Sequence, residues 1–244
     1  MKISGRIYWV GSGAVGLSAE GDCHTYAIAG DNAIALVDCG MAADPVRILE
    51  NMRADGLDIG RLKYCLLTHA HYDHAGGCKA LSEMGVRVVG APMADQVLKK
   101  GAIETYGLDG GAPWLENWRR VPRTRLDEEA YDGWQLDLGG VNVRAILTPG
   151  HSPDSVCYLA LTGDGRRELF SGDTVFYKGF ISVLAPPLND LARYPQGLRA
   201  LDGLNVDGLY PGHLMWVLKD GQQYIDIANR AFAAHQMPVN KPFS

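Results

Sequence analysis

Residues 68–77 read Thr-His-Ala-His-Tyr-Asp-His-Ala-Gly-Gly and bring three histidines and one aspartate close together. His69 and His71 lie two residues apart, just after the apolar run 62–68, which predicts a buried strand. If the extended backbone continues, both imidazoles leave from one face and can bind one ion. Asp73 and His74 lie where the chain is predicted to turn into a helix, so they can reach a second ion. Because zinc prefers imidazole and carboxylate ligands in catalytic sites, the stretch predicts a metal site.

The composition is that of a globular protein. The chain has 244 residues and 47% hydrophobic content, enough for one domain over residues 1–244 with a large core. Lys and Arg total 23 against 28 for Asp and Glu, and this net charge of -5 disfavours a broad nucleic-acid surface. No apolar stretch approaches the ~20 residues of a membrane span. We therefore expect a small-molecule substrate and neither nucleic acid nor membrane as a partner.

The cysteine pattern bears on the compartment. The five cysteines include no C-x-x-C pair and mostly lie in apolar runs, as buried thiols do. A reducing environment fits this pattern best, so we expect a cytoplasmic protein. The sequence does not set the oligomeric state.

A glycine-rich segment near the start matches a nucleotide-binding fingerprint by its letters. Residues 11–16 read Gly-Ser-Gly-Ala-Val-Gly, but the fingerprint requires a helix directly afterwards, whose N-terminus holds the pyrophosphate. Residues 20–22 interrupt any such helix, and 25–29 already favour a strand. We therefore interpret Gly11–Gly16 as a flexible loop between two strands.

The remaining pattern alternates between strands and helices, with two irregular segments, an insert near 101–131 and a loop near 176–192. Strands are predicted at 6–10, 25–38 as a hairpin, 62–68, 86–90, 134–138, 141–147, 156–161, 168–171 and 208–210. Helices are predicted at 44–54, 75–83, 92–99, 194–201 and 222–235.

More candidate ligands follow strand ends. His151 lies in Thr-Pro-Gly-His-Ser at 148–152, Asp173 in Ser-Gly-Asp-Thr at 171–174, and His213 in Pro-Gly-His at 211–213. Five of the seven histidines thus lie in loops at strand ends, a distribution that core packing would not produce.

Three other polar residues are not assigned as metal ligands. Asp38 closes an apolar strand, where it can accept backbone hydrogen bonds or steady the metal loop, and the sequence leaves both open. His24 precedes a strand near the glycine loop and could line the site, but we expect a satisfied structural or surface histidine. His235, near the end of the last helix, is expected to be solvated.

The four motifs T-H-x-H-x-D-H-x-G-G, T-P-G-H-S, S-G-D-T and P-G-H resemble those of the metallo-β-lactamase superfamily and occur in its order over residues 68–213. The resemblance implies an α/β fold, a four-layer αββα sandwich with metals at one edge between the sheets. It implies two zinc ions, with iron or manganese as alternatives. The implied ligands are His69, His71 and His151 for one ion, Asp73, His74 and His213 for the other, and Asp173 as a bridge.

Two bridged metals imply hydrolysis. They lower the pKa of a shared water from about 15.7 to about 7, so a metal-bridging hydroxide is available at neutral pH. We expect this hydroxide to cleave an ester, thioester or lactone of a small molecule. Asp73 is the candidate catalytic residue, because a carboxylate beside that water can orient it and shuttle its proton.

The resemblance also ranks the branches of the superfamily. True β-lactamases of this fold lack a bridging aspartate, so Asp173 favours the thioesterase, lactonase and nuclease branches. Nuclease branches usually add a further domain or a basic arm, and neither is visible in the sequence. Two departures weaken closer assignments: residues 178–180 replace the Gly-Cys-Gly-Arg usual in glyoxalase II, and Phe176 replaces a tyrosine frequent in lactonases. The alternatives are a single-iron persulfide dioxygenase-like oxygenase, or a β-lactam or phosphodiester hydrolase of the same fold.

The irregular segments are predicted to form the pocket walls. These are the loop Gly11–Gly16, the insert around Trp114 and the stretch Phe176–Leu191. Their apolar members predict a substrate with a hydrophobic part; they are Trp114, Phe176, Phe180, Ile181 and Leu184. Alternatively, these side chains bury one another and leave a narrow polar mouth.

Overall fold

The first of two sheets is mixed, antiparallel at one side and parallel at the other. The computed structural model describes residues 1–108, 115–184 and 187–241, and within these ranges seven strands pair in chain order. They are β1 (Lys2–Ser4), β2 (Ile7–Gly11), β3 (Thr25–Ala29), β4 (Ile34–Val37), β5 (Leu62–Leu66), β6 (Arg87–Gly90) and β7 (Glu128–Glu129). Strands β1 to β4 are antiparallel, and β4 to β7 are parallel.

The second sheet is mostly antiparallel. Its strands, counted over the described part of the chain, are β8 (Gln135–Asp137), β9 (Val141–Leu147), β10 (Val156–Thr162), β11 (Arg167–Gly172) and β12 (Gly208–Pro211). They pair in the order β12-β11-β10-β9-β8, and β11 and β12 are the parallel pair. The connection between those two strands contains a helix, as parallel neighbours require a crossover.

The helices join the strands in chain order. They are α1 (Val46–Ala54), α2 (Tyr72–Ala75), α3 (Cys78–Glu83), α4 (Pro92–Lys100), α5 (Ala102–Thr105), α6 (Leu115–Arg120), α7 (Tyr194–Arg199) and α8 (Gln222–Ala233). Single 3₁₀ turns occur at Ile59–Arg61 and Tyr177–Gly179. None of the helices in the described ranges is long and apolar enough to cross a membrane.

Strand alternation divides the interior into three apolar layers. Along β10, Tyr158 faces one layer and its neighbours Cys157 and Leu159 face another, because successive side chains point to opposite faces. The central layer lies between the sheets and includes Tyr26 of β3 and Phe170 of β11. Helices α1, α3 and α4 cover the outer face of the first sheet, and α7 and α8 cover that of the second. The predicted αββα sandwich is confirmed.

The directions of the strands place the C-terminal ends of several of them at one edge of each sheet. In the first sheet, β4 and β5 are parallel. In the second, β9 and β11 both run antiparallel to β10, and β12 is parallel to β11. The loops that follow these strands therefore leave each sheet on the same side.

Two departures from the predicted elements have a simple cause. The insert at 101–131 is not wholly irregular, because it contains α5, α6 and β7, while residues 109–114 lie outside the described residues. These helices have four and six residues, too short to show a helical repeat in the sequence. The strand β1 was not predicted, because its three residues are too few to show the alternation of a strand.

The inter-sheet layer provides a test of the packing. Phe170 is fully buried, with its ring 5.6 Å from Tyr26 and 5.1 Å from Tyr210. We expect Phe170→Ala to lower the free energy of unfolding by about 3–5 kcal/mol, because the lost ring leaves a cavity. The control Leu161→Ala, at an exposed position on β10, should change it by no more than about 0.5 kcal/mol. Equal values for the two variants in urea unfolding would contradict this packing.

Candidate metal centre

All seven predicted ligand residues meet at the sheet edge where the strand ends converge. His69 follows β5, Asp173 follows β11, and His213 follows β12. Side chains within this set make contact across the two sheets, as the distances below show. The set consists of His69, His71, Asp73, His74, His151, Asp173 and His213. Their binding of metal stays a prediction, which the geometry and the chemistry of the side chains support.

Three histidines form the first group. His69, His71 and His151 are buried, and one nitrogen of each lies within 4.8 Å of the others. Nδ1 of His71 is 3.0 Å from Nε2 of His151. Neighbouring nitrogens on a tetrahedral zinc lie roughly 3.3 Å apart, given Zn–N bonds of about 2.0–2.1 Å. Burial lowers the pKa of all three imidazoles, which keeps them in the neutral form that binds metals.

Two histidines and a carboxylate form the second group. Nε2 of His213 is 3.0 Å from Oδ2 of Asp73, and Nε2 of His74 is 3.5 Å from the same oxygen. Burial lowers the pKa of His213, but the carboxylates of Asp173 and Asp73 raise it more, so the net shift is upward. The raised pKa reports a negative local field, and the same field attracts a cation.

Asp173 connects the two groups. Its Oδ1 is 3.5 Å from Nε2 of His74, and its Oδ2 is 3.7 Å from Nε2 of His151 and 3.5 Å from Nε2 of His213. One carboxylate thus faces ligands of both groups, as a bridging carboxylate must.

Hydrogen bonds at Nδ1 aim three of the histidines at the centre. Nδ1 of His74 donates to Oδ2 of Asp38 at 2.8 Å, and Nδ1 of His151 donates to the Ser182 carbonyl at 2.8 Å. Thr68 Oγ1 donates to Asp38, so it accepts from Nδ1 of His69 at 3.1 Å. Because each Nδ1 carries the proton, each Nε2 has its lone pair free for the centre.

Unpartnered buried atoms test whether a metal fits. Nε2 of His69, Nε2 of His74 and Oδ1 of Asp173 are buried without a hydrogen-bond partner. A buried acceptor without a donor is costly, and cations held by the two ligand groups would satisfy these atoms. The residues therefore fit metal ions of the kind that imidazole and carboxylate bind.

Asp38 supports the centre and also serves the backbone. Its carboxylate accepts from the Thr68 amide at 2.7 Å and from the Thr68 hydroxyl at 2.8 Å, besides His74. Both alternatives that the sequence left open are thus correct. Asp38 has φ 59°, a left-handed conformation that few non-glycine residues adopt. Such strain occurs at sites where the surrounding contacts fix the backbone.

Two further aromatic side chains lie near the centre, and of these Trp118 was not predicted there. The Trp118 ring packs 4.8 Å from the His71 ring and 5.3 Å from that of Tyr72, which shields this side from water. His24 is buried, as expected for a structural histidine, but its ring also lies 6.5 Å from that of His213. His235 is exposed, as predicted.

An open cleft adjoins the second group, and we call it the His213 cleft. It has a volume of about 490 Å³. Its walls include Trp9, Val15, His24, His213, Met215 and Trp216. The predicted wall Gly11–Gly16 contributes Ala14 and Val15, so this part of the pocket prediction agrees with the structure.

Two of the other predicted wall residues do not line an open pocket. Phe176 and Ile181 are fully buried, so they do not line an open pocket, and Leu184 packs against the core beneath the first sheet. Trp114 lies outside the described residues, as do 185–186. For Phe176 and Ile181 the prediction was wrong, because an apolar residue in an irregular segment can turn inward as readily as toward a pocket.

Comparison with known proteins gives a family match over most of the chain. The model described as the metallo-β-lactamase superfamily matches residues 19–213. An atrochrysone carboxyl ACP thioesterase from Aspergillus fumigatus is 32% identical over 153 residues, which are 63% of this chain and 38% of that protein. A hydroxyacylglutathione hydrolase from Acidiphilium cryptum is 31% identical over 220 residues, 90% of this chain and 71% of that protein. The chain spans about half the length of the first curated relatives that it matches.

The fold has counterparts among solved structures. A native metallo-β-lactamase from Legionella gormanii superposes with a TM-score of 0.74 over 96% of this chain and 94% of that one, at 19% identity. At this identity, the likeness concerns the fold alone.

Asp38 offers a test of the orienting bonds. In Asp38→Asn the amide NH₂ cannot accept the hydrogen bonds from Thr68 Oγ1 and His74 Nδ1. Asparagine tolerates the left-handed backbone conformation, so the substitution changes mainly these two bonds. We expect zinc affinity to fall about 10- to 100-fold, measured by competition with a chromophoric chelator. The control Asp137→Asn changes an exposed carboxylate that caps the Gly139 amide and should leave affinity unchanged. Equal affinities in the two variants would show that Asp38 does not orient the ligands.

Proposed function

The chain belongs to the metallo-β-lactamase superfamily, and on that premise we propose that it is a two-metal hydrolase of small-molecule thioesters. The observation that carries the proposal is the pair of ligand groups joined by Asp173. The relatives described above include a thioesterase and a hydroxyacylglutathione hydrolase, both named for hydrolysis of thioester substrates. Esters and lactones have the same electrophilic carbonyl and are the natural extensions of the substrate range.

The ligands divide between two ions in this proposal. His69, His71 and His151 would hold one, and Asp73, His74 and His213 the other, with Asp173 between them. Zinc is proposed, with iron or manganese as alternatives, because imidazole and carboxylate suit all of these metals. When bound, such a pair supplies Lewis acidity, which activates water at neutral pH and polarises a carbonyl oxygen.

Asp73 is the group proposed to position the attacking water. Its carboxylate is buried, and burial raises its pKa, but His74 and the hydrogen bond from His213 lower it more. The pKa of Asp73 therefore lies below its usual range, so it stays ionised at neutral pH. A weakly basic carboxylate can orient water by accepting its hydrogen bond. If it takes up a proton, it releases that proton again to a stronger base.

The reaction in this proposal needs no protein nucleophile. The water oxygen attacks the thioester carbonyl carbon, and the carbon–sulfur bond then breaks. Asp73 carries the water's proton toward the departing thiolate, which leaves as a thiol, while the acyl group leaves as a carboxylic acid.

The complete second group supports this proposal over the oxygenase alternative. A single-iron site needs fewer ligands, whereas Asp73, His74 and His213 lie within contact of one another and of Asp173. Metal analysis distinguishes the two: two equivalents of zinc support the hydrolase, and one iron with oxygen consumption supports the oxygenase.

The direct test is Asp73→Ala in a thioester assay of the zinc-loaded protein. We expect kcat/KM to fall at least about 100-fold, because the variant loses the group that orients water. The second zinc should also bind more weakly. The control is Asp44→Ala, since Asp44 is exposed and makes no capping bond at α1.

The outcomes of this assay are distinct. Wild-type turnover by the Asp73 variant with two zinc ions bound would show that Asp73 has no role in catalysis. Absence of thioester, ester and lactone hydrolysis in the wild-type protein would refute the proposed function itself.

A further inference from the structure

We propose that the His213 cleft binds the acyl part of the substrate and selects an uncharged, apolar acyl group. This inference rests on the proposed function, because it assigns a substrate class to the same centre. It concerns a cleft whose residues lie mostly outside the metal groups.

The cleft is continuous with the centre through His213. This side chain belongs to the second ligand group, with Nε2 3.0 Å from Oδ2 of Asp73, and it also forms part of the cleft wall. A carbonyl held beside Asp73 would have the cleft within reach of one substituent, and we assign that place to the acyl substituent. The cleft volume of about 490 Å³ lies within the range of about 300–1,000 Å³ usual for small-molecule sites.

The lining is aromatic and apolar. The rings of Trp9 and Trp216 meet edge to face at 6.2 Å, and that of Trp9 also lies 5.0 Å from the His24 ring. None of the described residues that line the cleft is a lysine or arginine. A ligand part bearing a carboxylate would find no cation here outside the metal centre, whereas an alkyl chain or ring would replace water at apolar surface.

His24 offers a ligand no free ring nitrogen. Its Nδ1 lies 3.0 Å from the Ser12 hydroxyl and its Nε2 2.6 Å from the Leu214 carbonyl. Since the carbonyl can only accept, Nε2 carries the proton and Nδ1 accepts from Ser12. Both nitrogens are therefore engaged within the protein.

The same bonds hold the two sides of the cleft together. Ser12 belongs to the glycine loop, and Leu214 begins the rim on the opposite side, so His24 bridges them. Leu214 has φ 62°, a conformation that is strained for a leucine. The rim is thus fixed by tertiary contacts before a substrate arrives, and preorganisation of this kind favours binding. It also gives the glycine loop a role unrelated to nucleotides.

Large apolar side chains are exposed at the mouth. Val15 is 63% exposed, Met215 59% and Leu214 40%. Three such side chains around one apolar cleft form a contiguous patch, which marks a binding site more often than chance exposure. An acyl chain leading from the centre would bury them.

The first experiment measures chain-length dependence. The substrates are N-acetylcysteamine thioesters of acetate, butyrate, hexanoate and octanoate, with the zinc-loaded protein. We expect kcat/KM to rise up to about fourfold per methylene, the equivalent of ~0.8 kcal/mol. In a second series, acetyl thioesters of longer alkyl thiols should show no such rise. A flat acyl profile, or a rise only in the thiol series, would overturn the proposal.

Variants assign the dependence to the cleft. We expect Met215→Ala and Trp216→Ala to lose more kcat/KM the longer the acyl chain, which flattens the profile. The matched control is Met84→Ala, which removes a methionine that is 51% exposed beside α3 and should leave the profile steep. A profile as steep in Met215→Ala and Trp216→Ala as in the control would contradict the assignment.

A binding measurement separates this inference from the proposed function. Calorimetry with the alkanoate anions from acetate to octanoate measures affinity without turnover, and the slope with chain length reports the cleft. A slope that Trp216→Ala removes, in a protein that cleaves no thioester, would support the cleft and refute the hydrolase. Thioester cleavage with no dependence on chain length in either experiment would support the hydrolase and refute the acyl site.

A second copy of the chain could instead cover the patch. Sedimentation velocity detects this: a dimer that Met215→Ala dissociates, with no dependence of binding on chain length, would overturn the proposed acyl site. A monomer with the expected slope supports it.

Discussion

The buried carboxylate of Asp38 is the constraint on which the centre depends. It joins three segments, the end of β4, the start of the ligand loop at Thr68, and helix α2 through His74. A buried charge without partners would be strongly destabilising, so these three donors must be in place when the chain folds. Their placement in turn directs the free nitrogens of His69 and His74 toward the centre. The strained φ of Asp38 is consistent with a residue held by its contacts rather than by local preference.

The sandwich supplies the remaining geometry. Two sheets packed through Tyr26, Phe170 and Tyr210 hold strand ends from both at one edge, so ligands distant in sequence come within a few ångströms. His151 and His71, 80 positions apart, have nitrogens 3.0 Å from each other. Loops alone could not hold such distances, whereas loops anchored to a rigid sheet edge can. The position of the metal ligands therefore depends on packing between the sheets, and the side chains that make this packing are not themselves ligands.

Sequence reasoning succeeded where chemistry and short-range spacing decide the outcome. The candidate ligands could be singled out because histidine and aspartate rarely cluster at strand ends for other reasons, and the structure brings these side chains together. Most strands showed the expected alternation. It left the role of Asp38 open, since that depends on contacts with residues some 30 positions away. It missed the pairing of Trp9 with Trp216, which only the folded chain brings together. It misjudged Phe176 and Ile181 because composition does not tell which way a loop side chain points.

The central claim is that two metal ions lie between the two ligand groups. Anomalous diffraction at the zinc edge, from crystals of the zinc-loaded protein, tests it most directly. The account predicts two peaks, one about 2.0–2.1 Å from nitrogens of His69, His71 and His151, the other at bonding distance from Asp73, His74 and His213, with Asp173 reaching both. A single peak at full occupancy, or peaks that leave either group without metal, would contradict it.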